Sequence, residues 1–268
     1  MNRKILSLII LVFFVLLSPF LYAKAEGLAI PSGTIKTFSS ENKVYSIDIK
    51  ILGYPDKSPS ECTFKKGEEI LWTKELSTTP GFVNISNDGK YFIFANWGWY
   101  DEGGFKNISF YNGSGELLKT VELGEGLRWL SKTCLSGNGN YYLTADHSSQ
   151  VTLYRVPTQT IVWDKKIGLE QTDNILISQA GDYILISTFA YPEYNVNFSY
   201  LDKAGKLLWK KEIIRGYSRD KNLIWLSENG LNFKIRDLNQ KKWLEFENLQ
   251  NRVRNRVRLK KTSISDNQ

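Results

Sequence analysis

Ile85-Ser86-Asn87-Asp88-Gly89 is the first of four similar segments that recur along this chain. The other three are Leu135-Ser136-Gly137-Asn138-Gly139, Ile177-Ser178-Gln179-Ala180-Gly181 and Leu226-Ser227-Glu228-Asn229-Gly230. Each segment reads as a turn of small residues, and a strand of aromatic or aliphatic residues follows it. The copies recur every 42 to 50 residues. A repeat of this length, built from strands and turns, predicts an all-β chain folded as a β-propeller.

The strands of the third copy fit one blade of such a propeller. They are expected at 174–177, 182–188, 197–201 and 206–213, joined by turns rich in Gly, Asn and Asp. The first and second copies repeat this plan, a shorter fourth copy spans 222–246, and the segments 45–51 and 68–76 resemble a degenerate unit. The prediction is therefore about five four-stranded blades. We expect residues 33–39 to complete the short fourth copy and close the ring.

A tryptophan recurs at a matching place in the last strand of four units: Trp72, Trp163, Trp209 and Trp243. A blade buries its faces only against its neighbours, and one large ring per repeat serves that packing. A stack of rings around a ligand is the alternative. We interpret these tryptophans as packing residues.

The third copy contains a further motif, Asp202-Lys203-Ala204-Gly205-Lys206-Leu207-Leu208-Trp209, after the strand Ser199-Tyr200-Leu201. It resembles the repeat of quinoprotein-type propellers, a strand followed by Asp-x-x-Gly-Lys-x-Leu-Trp. Ser86-Asn87-Asp88-Gly89-Lys90-Tyr91 is also similar to bacterial WD-repeat-like propellers. The resemblance covers most of residues 82–246 and implies a fold rather than an activity. Because the chain has no adjacent cysteine pair and no calcium-site constellation of quinoprotein dehydrogenases, we expect no quinone and no other cofactor.

The N-terminus has the three-part plan of an export signal. Arg3 and Lys4 precede an apolar run at 5–17, and Ala23 and Ala25 are the small residues of a cleavage site. We expect cleavage after Ala25 and a secreted or periplasmic protein. An uncleaved N-terminal membrane tether is the alternative, because the apolar stretch approaches spanning length. The predicted domains are a signal peptide at 1–25, a β-propeller domain at 26–250 and a basic C-terminal tail at 251–268.

The positive charge of the chain lies at its two ends. The formal net charge is +7, of which the signal holds three and the tail five, so residues 26–250 carry −1. A near-neutral body argues against nucleic acid as a partner. In the tail, arginines alternate from Arg252 to Arg258 as in an edge strand, whereas Leu249, Val253 and Val257 have helical spacing. The tail is interpreted as a contact for an anionic surface or as a solvated end.

Long aromatic connections point to a binding surface. Loops between the second and third strands of the blades should emerge on one face of the disc, and three of them carry the candidate ligand-binding residues. These residues are Trp97, Trp99, Tyr100, Asp101, Glu102, His147, Tyr191, Glu193 and Tyr194. Rigid rings beside adaptable polar groups make effective contact surfaces. We predict a protein or glycan partner on this face. Rings that fold down and cap the propeller are the alternative.

Histidine and cysteine, which often serve as catalytic residues and metal ligands in proteins, are sparse in this chain. His147 has Asp146 beside it and serines at 136, 148 and 149, but adjacency in sequence does not make a triad, and no Gly-x-Ser-x-Gly elbow is present. No catalytic residue and no metal site are assigned, because one histidine and two cysteines lack zinc spacing. Export permits a Cys62–Cys134 disulfide, but the repeat register places these residues in blades that are not neighbours.

The sequence therefore predicts an exported propeller that acts as a non-catalytic ligand- or protein-binding or assembly module. The alternative is a carbohydrate-active or other enzyme on the same face, with Asp101, Glu102 and Glu193 as acid and base.

Overall fold

The computed structural model describes residues 33–53, 59–97, 105–123, 130–168, 171–189, 195–214, 224–237, 242–249 and 252–254. These residues form twenty β-strands and no helix. None of the described residues belongs to a helix that is long and apolar enough to cross a membrane. The predicted signal, residues 1–25, and the tail beyond residue 254 lie outside the described residues.

The strands form five antiparallel sheets of four strands each, and every sheet is continuous in sequence. The first sheet contains β1 (Ile35–Ser39), β2 (Tyr45–Ile51), β3 (Ser60–Lys66) and β4 (Glu69–Leu76). The second contains β5 (Pro80–Ile85), β6 (Tyr91–Trp97), β7 (Phe105–Asn112) and β8 (Leu117–Glu122). The third contains β9 (Leu130–Leu135), β10 (Tyr141–Asp146), β11 (Gln150–Arg155) and β12 (Thr160–Lys166). The fourth contains β13 (Gln171–Ile177), β14 (Tyr183–Phe189), β15 (Asn195–Asp202) and β16 (Leu207–Ile214), and the fifth contains β17 (Ile224–Leu226), β18 (Asn232–Asp237), β19 (Lys242–Leu249) and β20 (Arg252–Arg254).

This arrangement confirms the prediction of an all-β propeller with about five four-stranded blades. In the third copy, the four strands β13 to β16 overlap the four predicted segments. The first strand of each of the first four sheets contacts the first strand of the next sheet. The first strands are therefore the inner strands of the disc, and the fourth strands form its rim.

The placement of residues 33–39 differs from the prediction. We expected this segment to complete the short fourth copy, which is the fifth sheet, but β1 pairs with β2 of the first sheet, with Phe38 opposite Ile47. The prediction was wrong because a tight local turn, in which Ser40 N donates to the carbonyl of Tyr45 at 2.9 Å, makes the hairpin the nearest pairing. The fifth sheet is completed instead by β20, which pairs with β19. Strand β20 lies beyond residue 250, where the propeller domain was predicted to end.

The recurring turn is stabilised by its serine and its glycine. In the third sheet, the Ser136 hydroxyl donates to Asn138 Oδ1 at 2.8 Å and accepts from Tyr141 N at 2.9 Å. Gly139 adopts a φ of +71°, a conformation that residues with a Cβ rarely take. Ser40-Glu41-Asn42-Lys43 makes a fifth turn of this type, which sequence reasoning missed because Lys43, at a φ of 59°, replaces the glycine.

These five turns lie together on one face of the disc, and we call them the turn collar; its turns are 40–43, 86–89, 136–139, 178–181 and 227–230. Backbone hydrogen bonds join successive turns from the second sheet to the fifth. They run from Asn87 N to the carbonyl of Gly137 at 2.9 Å, from Asn138 N to that of Gln179 at 3.0 Å and from Gln179 N to that of Glu228 at 2.8 Å. Asn42 joins the first turn to the second by donating its backbone N–H to Asn87 Oδ1 at 3.0 Å. The inner ends of the sheets are therefore fixed to one another at this face.

Tryptophans pack successive sheets together, as predicted for three of the four positions. Trp72 Nε1 donates to the carbonyl of Gly113 in the next sheet at 3.0 Å, and Trp163 Nε1 donates to that of Lys203 at 3.0 Å. The Trp209 ring lies 4.6 Å from that of Phe246 between their centroids. Trp243 does not match: it lies on β19, the third strand of its sheet, and is 37% exposed. The fourth copy of the repeat is shorter than the others, so the sequence alignment matched its third strand to their last strand.

The two cysteines are free thiols. Cys62 lies on β3 of the first sheet and Cys134 on β9 of the third, with the second sheet between them in the order of the blades. Burial raises the pKa of the Cys62 thiol to about 12. This thiol is therefore protonated and unreactive in the folded chain near neutral pH.

Candidate binding site

The connections that carry the candidate binding residues leave the sheets at one face. Each second strand begins at the turn collar, so its far end lies on the opposite face, which we call the loop face. The connections β6–β7, β10–β11 and β14–β15 all start from such far ends. The predicted sharing of one face by these three connections thus agrees with the strand topology at their starting points.

Two of the nine predicted binding residues, Trp97 and His147, lie among the described residues. Trp97 is the last residue of β6 and pairs with Phe105. The other seven residues of the two aromatic loops lie outside the described residues and stay predictions: Trp99, Tyr100, Asp101, Glu102, Tyr191, Glu193 and Tyr194. At the base of the first loop, Phe105 is buried, and its ring stacks on that of Phe82 at 5.2 Å between centroids. This ring pair gives the first aromatic loop a rigid base.

His147 lies close to the first residue of the fourth sheet. It is exposed in the β10–β11 turn, and its Nδ1 lies 2.6 Å from Nε2 of Gln171 at the start of β13. An amide NH2 group only donates, so Nδ1 of His147 is the acceptor in this contact. The pair joins the third sheet to the fourth. Sequence reasoning had no signal for Gln171, because the contact spans two sheets.

The hydrogen bonds of Asp146 Oδ1 stabilise the turn that carries His147 rather than orient its imidazole ring. Its Oδ1 accepts from Ser148 N at 2.8 Å, from the Ser148 hydroxyl at 2.8 Å and from Gln150 N at 2.9 Å. This local network is an Asx-type turn, which fixes the backbone of a tight loop. Ser136, another serine considered for a triad, lies in the turn collar, on the opposite face. The geometry therefore gives His147 neither a carboxylate orienter in Asp146 nor a nucleophile in Ser136.

A cavity of about 320 Å³ opens beside His147, between the third and fourth sheets. Inner strands β9 and β13 supply most of its wall, and Phe189 stands at the end of β14. Its lining residues are Leu130, Ser131, Lys132, His147, Gln171, Thr172, Asp173 and Phe189. The wall thus combines a cation, a carboxylate, an amide, an imidazole and an aromatic ring. Convergent polar groups beside apolar surface are the usual lining of a small-molecule site.

A second cavity, of about 460 Å³, lies between the first and second sheets. One wall is a chain of polar side chains across β6, β7 and β8. Asn96 Nδ2 donates to Asn107 Oδ1 at 2.7 Å and to the Ser109 hydroxyl at 3.0 Å, and this hydroxyl is 3.3 Å from that of Thr120. Lys74 reaches across from the first sheet and donates to the carbonyl of Gly115 at 3.2 Å. The polar groups are thus largely engaged with each other.

Metal-ligating side chains are scattered rather than clustered. Among the described residues, no group of three or more His, Cys, Asp or Glu side chains could hold a metal ion.

Two solved structures share this arrangement of sheets. The chain has a β-propeller fold. The hydrazine synthase of Kuenenia stuttgartiensis matches 83% of this chain over 64% of its own, with a TM-score of 0.54 and 12% identity. The β-propeller domain of Cps50 (Swd1) from Myceliophteria thermophila matches 82% of this chain over 67% of its own, with a TM-score of 0.53 and 14% identity. No protein-family model and no curated protein matches the sequence.

These likenesses concern the fold alone. At 12% and 14% identity, the two proteins share the architecture of their blades with this chain, and the same architecture carries many unrelated functions. This chain spans less than two thirds of the hydrazine synthase chain that it matches. The two structures confirm the resemblance to propellers that the sequence shows, at the level of the repeat.

Proposed function

We propose that this chain is an exported, non-catalytic binding or assembly module whose partner, a protein or a glycan, binds at the loop face. The observation that carries the proposal is the cavity beside His147, in which side chains of two sheets converge on the same face as the aromatic connections. The face that carries the turn collar, which we call the turn face, differs from the loop face, because backbone hydrogen bonds join its neighbouring turns. The two faces of the disc are therefore chemically unlike: main-chain hydrogen bonds link the turns on one face, whereas the other has a cavity lined by side chains.

The groups around the cavity suit recognition better than reaction. Lys132, Gln171 and Asp173 offer donors and acceptors of both charges, and Phe189 adds an apolar ring. The carboxylate next to His147 is already bonded three times within its own turn. A mixed set of hydrogen-bonding groups beside a ring recognises shape and polarity without requiring a group of shifted pKa. The enzyme alternative depends on Asp101, Glu102 and Glu193, which lie outside the described residues, and it stays a prediction.

An affinity capture experiment tests the proposal. The mature domain is immobilised beside a loop-face variant, Trp97→Ala with Trp99→Ala and Tyr191→Ala, and both are incubated with envelope extract and with purified wall glycans. A matched turn-face variant, Gln179→Ala with Glu228→Ala, removes two exposed side chains whose backbone atoms alone join the collar. Circular dichroism verifies that all three are folded.

We expect one partner to be retained by the wild type and the turn-face variant and lost by the loop-face variant. Equal capture by all three proteins would contradict the proposal. A second variant, His147→Ala with Gln171→Ala, then tells whether the cavity takes part. The basic tail is proposed to contact an anionic surface, and deletion of residues 255–268 should weaken adsorption to anionic vesicles at low salt without altering capture at the loop face.

A further inference from the structure

The four junctions between successive sheets are apolar. Each holds its own cluster of buried hydrophobic side chains, contributed from both sides. At the first junction, Ile47, Ile49 and Phe64 of the first sheet meet Phe92 and Phe94 of the second. Side chains alternate along a strand, so each of these strands turns its intervening residues to the other face of its sheet. For the first and fifth sheets, that other face looks away from all four junctions.

The outward face of the first sheet is mainly polar, and its apolar Ile35 is exposed. On β2 it carries Ser46, Asp48 and Lys50, which alternate with the buried isoleucines. Lys65 of β3 forms an ion pair with Asp48 at 2.6 Å, and the Thr37 hydroxyl donates to the same carboxylate at 2.6 Å. Burial raises the pKa of Asp48, but the bonds from Lys65 and Thr37 outweigh it and hold this pKa below its usual value. The carboxylate is thus charged and partly solvated on this face.

The outward face of the fifth sheet carries charged side chains together with two exposed tryptophans, Trp225 and Trp243. Phe233 and Ile235 point into the junction with the fourth sheet, so Asn232 and Lys234 of β18 lie on the outward side. Lys234 forms an ion pair with Glu245 of β19 at 2.9 Å and lies 5.4 Å above the centre of the Trp225 ring. Trp225 is 45% exposed. No comparable charged pair lies inside the four apolar clusters.

The turn collar marks the same two sheets. At each of the four inner junctions, the turn glycine of one sheet faces the tyrosine that starts the second strand of the preceding sheet. A Cβ on Gly89 would lie 2.5 Å from Tyr45, and a Cβ on Gly230 would lie 2.6 Å from Tyr183. The first sheet has Lys43 at the glycine position, and the fifth has Asn232 at the tyrosine position. Both halves of this packing device are therefore missing where the fifth sheet would meet the first.

We infer that the first and fifth sheets meet across water, without a hydrophobic interface, and that this junction is where the propeller opens. Repeat arrays end in units with a polar outer face, because a terminal unit has no neighbour on that side. Three features agree: the ion pair on the outward side of the first sheet, the ion pair and solvent-exposed tryptophans on that of the fifth, and the changed turn residues. Opening at this junction would separate the loops of the first and fifth sheets and leave the cavity beside His147 intact. The inference does not depend on the proposed binding function.

Thiol labelling in the native state tests this inference with a matched pair of variants. Thr63 and Thr152 hold the same place in their sheets: each precedes the residue that pairs with the rim tryptophan, Trp72 or Trp163. Thr63 faces outward and is half-buried, whereas Thr152 faces the second sheet and is 1% exposed. Thr63→Cys and Thr152→Cys are each treated with a chromogenic disulfide reagent. The wild type, with its two native thiols, supplies the background rate.

We expect Thr63→Cys to react on the order of a hundredfold faster than Thr152→Cys, because a buried thiol reacts only after its two sheets separate. Comparable slow rates would overturn the inference, since Thr63 would then lie in a packed interface. If Thr152→Cys does not fold, Ser109→Cys and Ser199→Cys serve as the buried controls, because Ser109 and Ser199 occupy the same place in the second and fourth sheets.

Thr63→Glu should leave the melting temperature within a few degrees of the wild type, whereas Thr152→Glu should lower it strongly. A large loss from Thr63→Glu would count against a solvated junction.

Discussion

Replacing Gly230 with alanine tests how the turn collar locks one sheet to the next. Gly230 has a φ of +72°, which costs a residue with a Cβ about 1–2 kcal/mol. The new Cβ would lie 2.6 Å from Cδ2 and 2.8 Å from Cβ of Tyr183, and 2.9 Å from Cβ of Ser178. Nonbonded carbon atoms prefer about 3.5–4.0 Å, and the two Cβ atoms move only with their backbone. Overpacking of this kind costs about 1–3 kcal/mol.

Alanine also lowers the conformational entropy of the unfolded chain, and this raises the free energy of unfolding by about 0.4–1 kcal/mol. The net expectation for Gly230→Ala is therefore a loss of about 1–4.5 kcal/mol in the free energy of unfolding. Gly67→Ala is the matched control: its φ is +56°, and nothing lies within 4 Å of its Cβ position, so it should lose about 1 kcal/mol. Urea unfolding measures both, as a change in midpoint at constant slope. Equal losses in the two variants would refute the role assigned to Tyr183.

Three further outcomes are expected. Trp163→Phe loses the bond from Nε1 to the next sheet and should cost about 1–3 kcal/mol in urea unfolding, whereas Trp243→Phe, on an exposed ring, should change stability by less than about 0.5 kcal/mol. Because the pKa of Asp48 is lowered by folding, its contribution is complete above the ordinary carboxyl pKa of about 4 and is lost as the pH falls through the lower folded value. Asp48→Asn should therefore flatten the fall of melting temperature with pH below about 4, and an unchanged slope would contradict the bond from Lys65. Intact-mass analysis of the exported protein should find a chain that begins after Ala25, and retention of residues 1–25 would favour the membrane tether.

The repeats were predictable because their chemistry is local. A serine that bonds its own turn and a glycine with a positive φ leave the same short pattern in the sequence wherever the turn occurs. The first copy of the turn escaped notice because Lys43 occupies the glycine position. Strand β3 also escaped notice, although its alternation of buried and half-buried residues has a period of two. In that strand, Glu61, Thr63 and Lys65 face outward on a polar side, which weakens the apolar signal of a blade strand.

Contacts between distant parts of the chain were the harder problem. The pairing of residues 33–39 with β2 follows from a hairpin, but an N-terminal strand in a propeller has two reasonable partners and the sequence does not choose between them. The site shows the same limit. His147 was identified as a candidate, whereas Gln171 and Lys132 become its neighbours only when two sheets pack together. The aromatic residues of the loops stay a prediction.

Main-chain hydrogen bonds link the turns from the second sheet to the fifth, and several side chains of the turn collar take no part in these links. Glu41, Gln179 and Glu228 occupy the second position of three turns, and all three side chains are exposed. The serine before each of them holds its turn, so these three residues can change without disturbing the link to the next blade. New side chains could be introduced at these positions one blade at a time. A designed ring of contacts at these positions would therefore disturb the fold little.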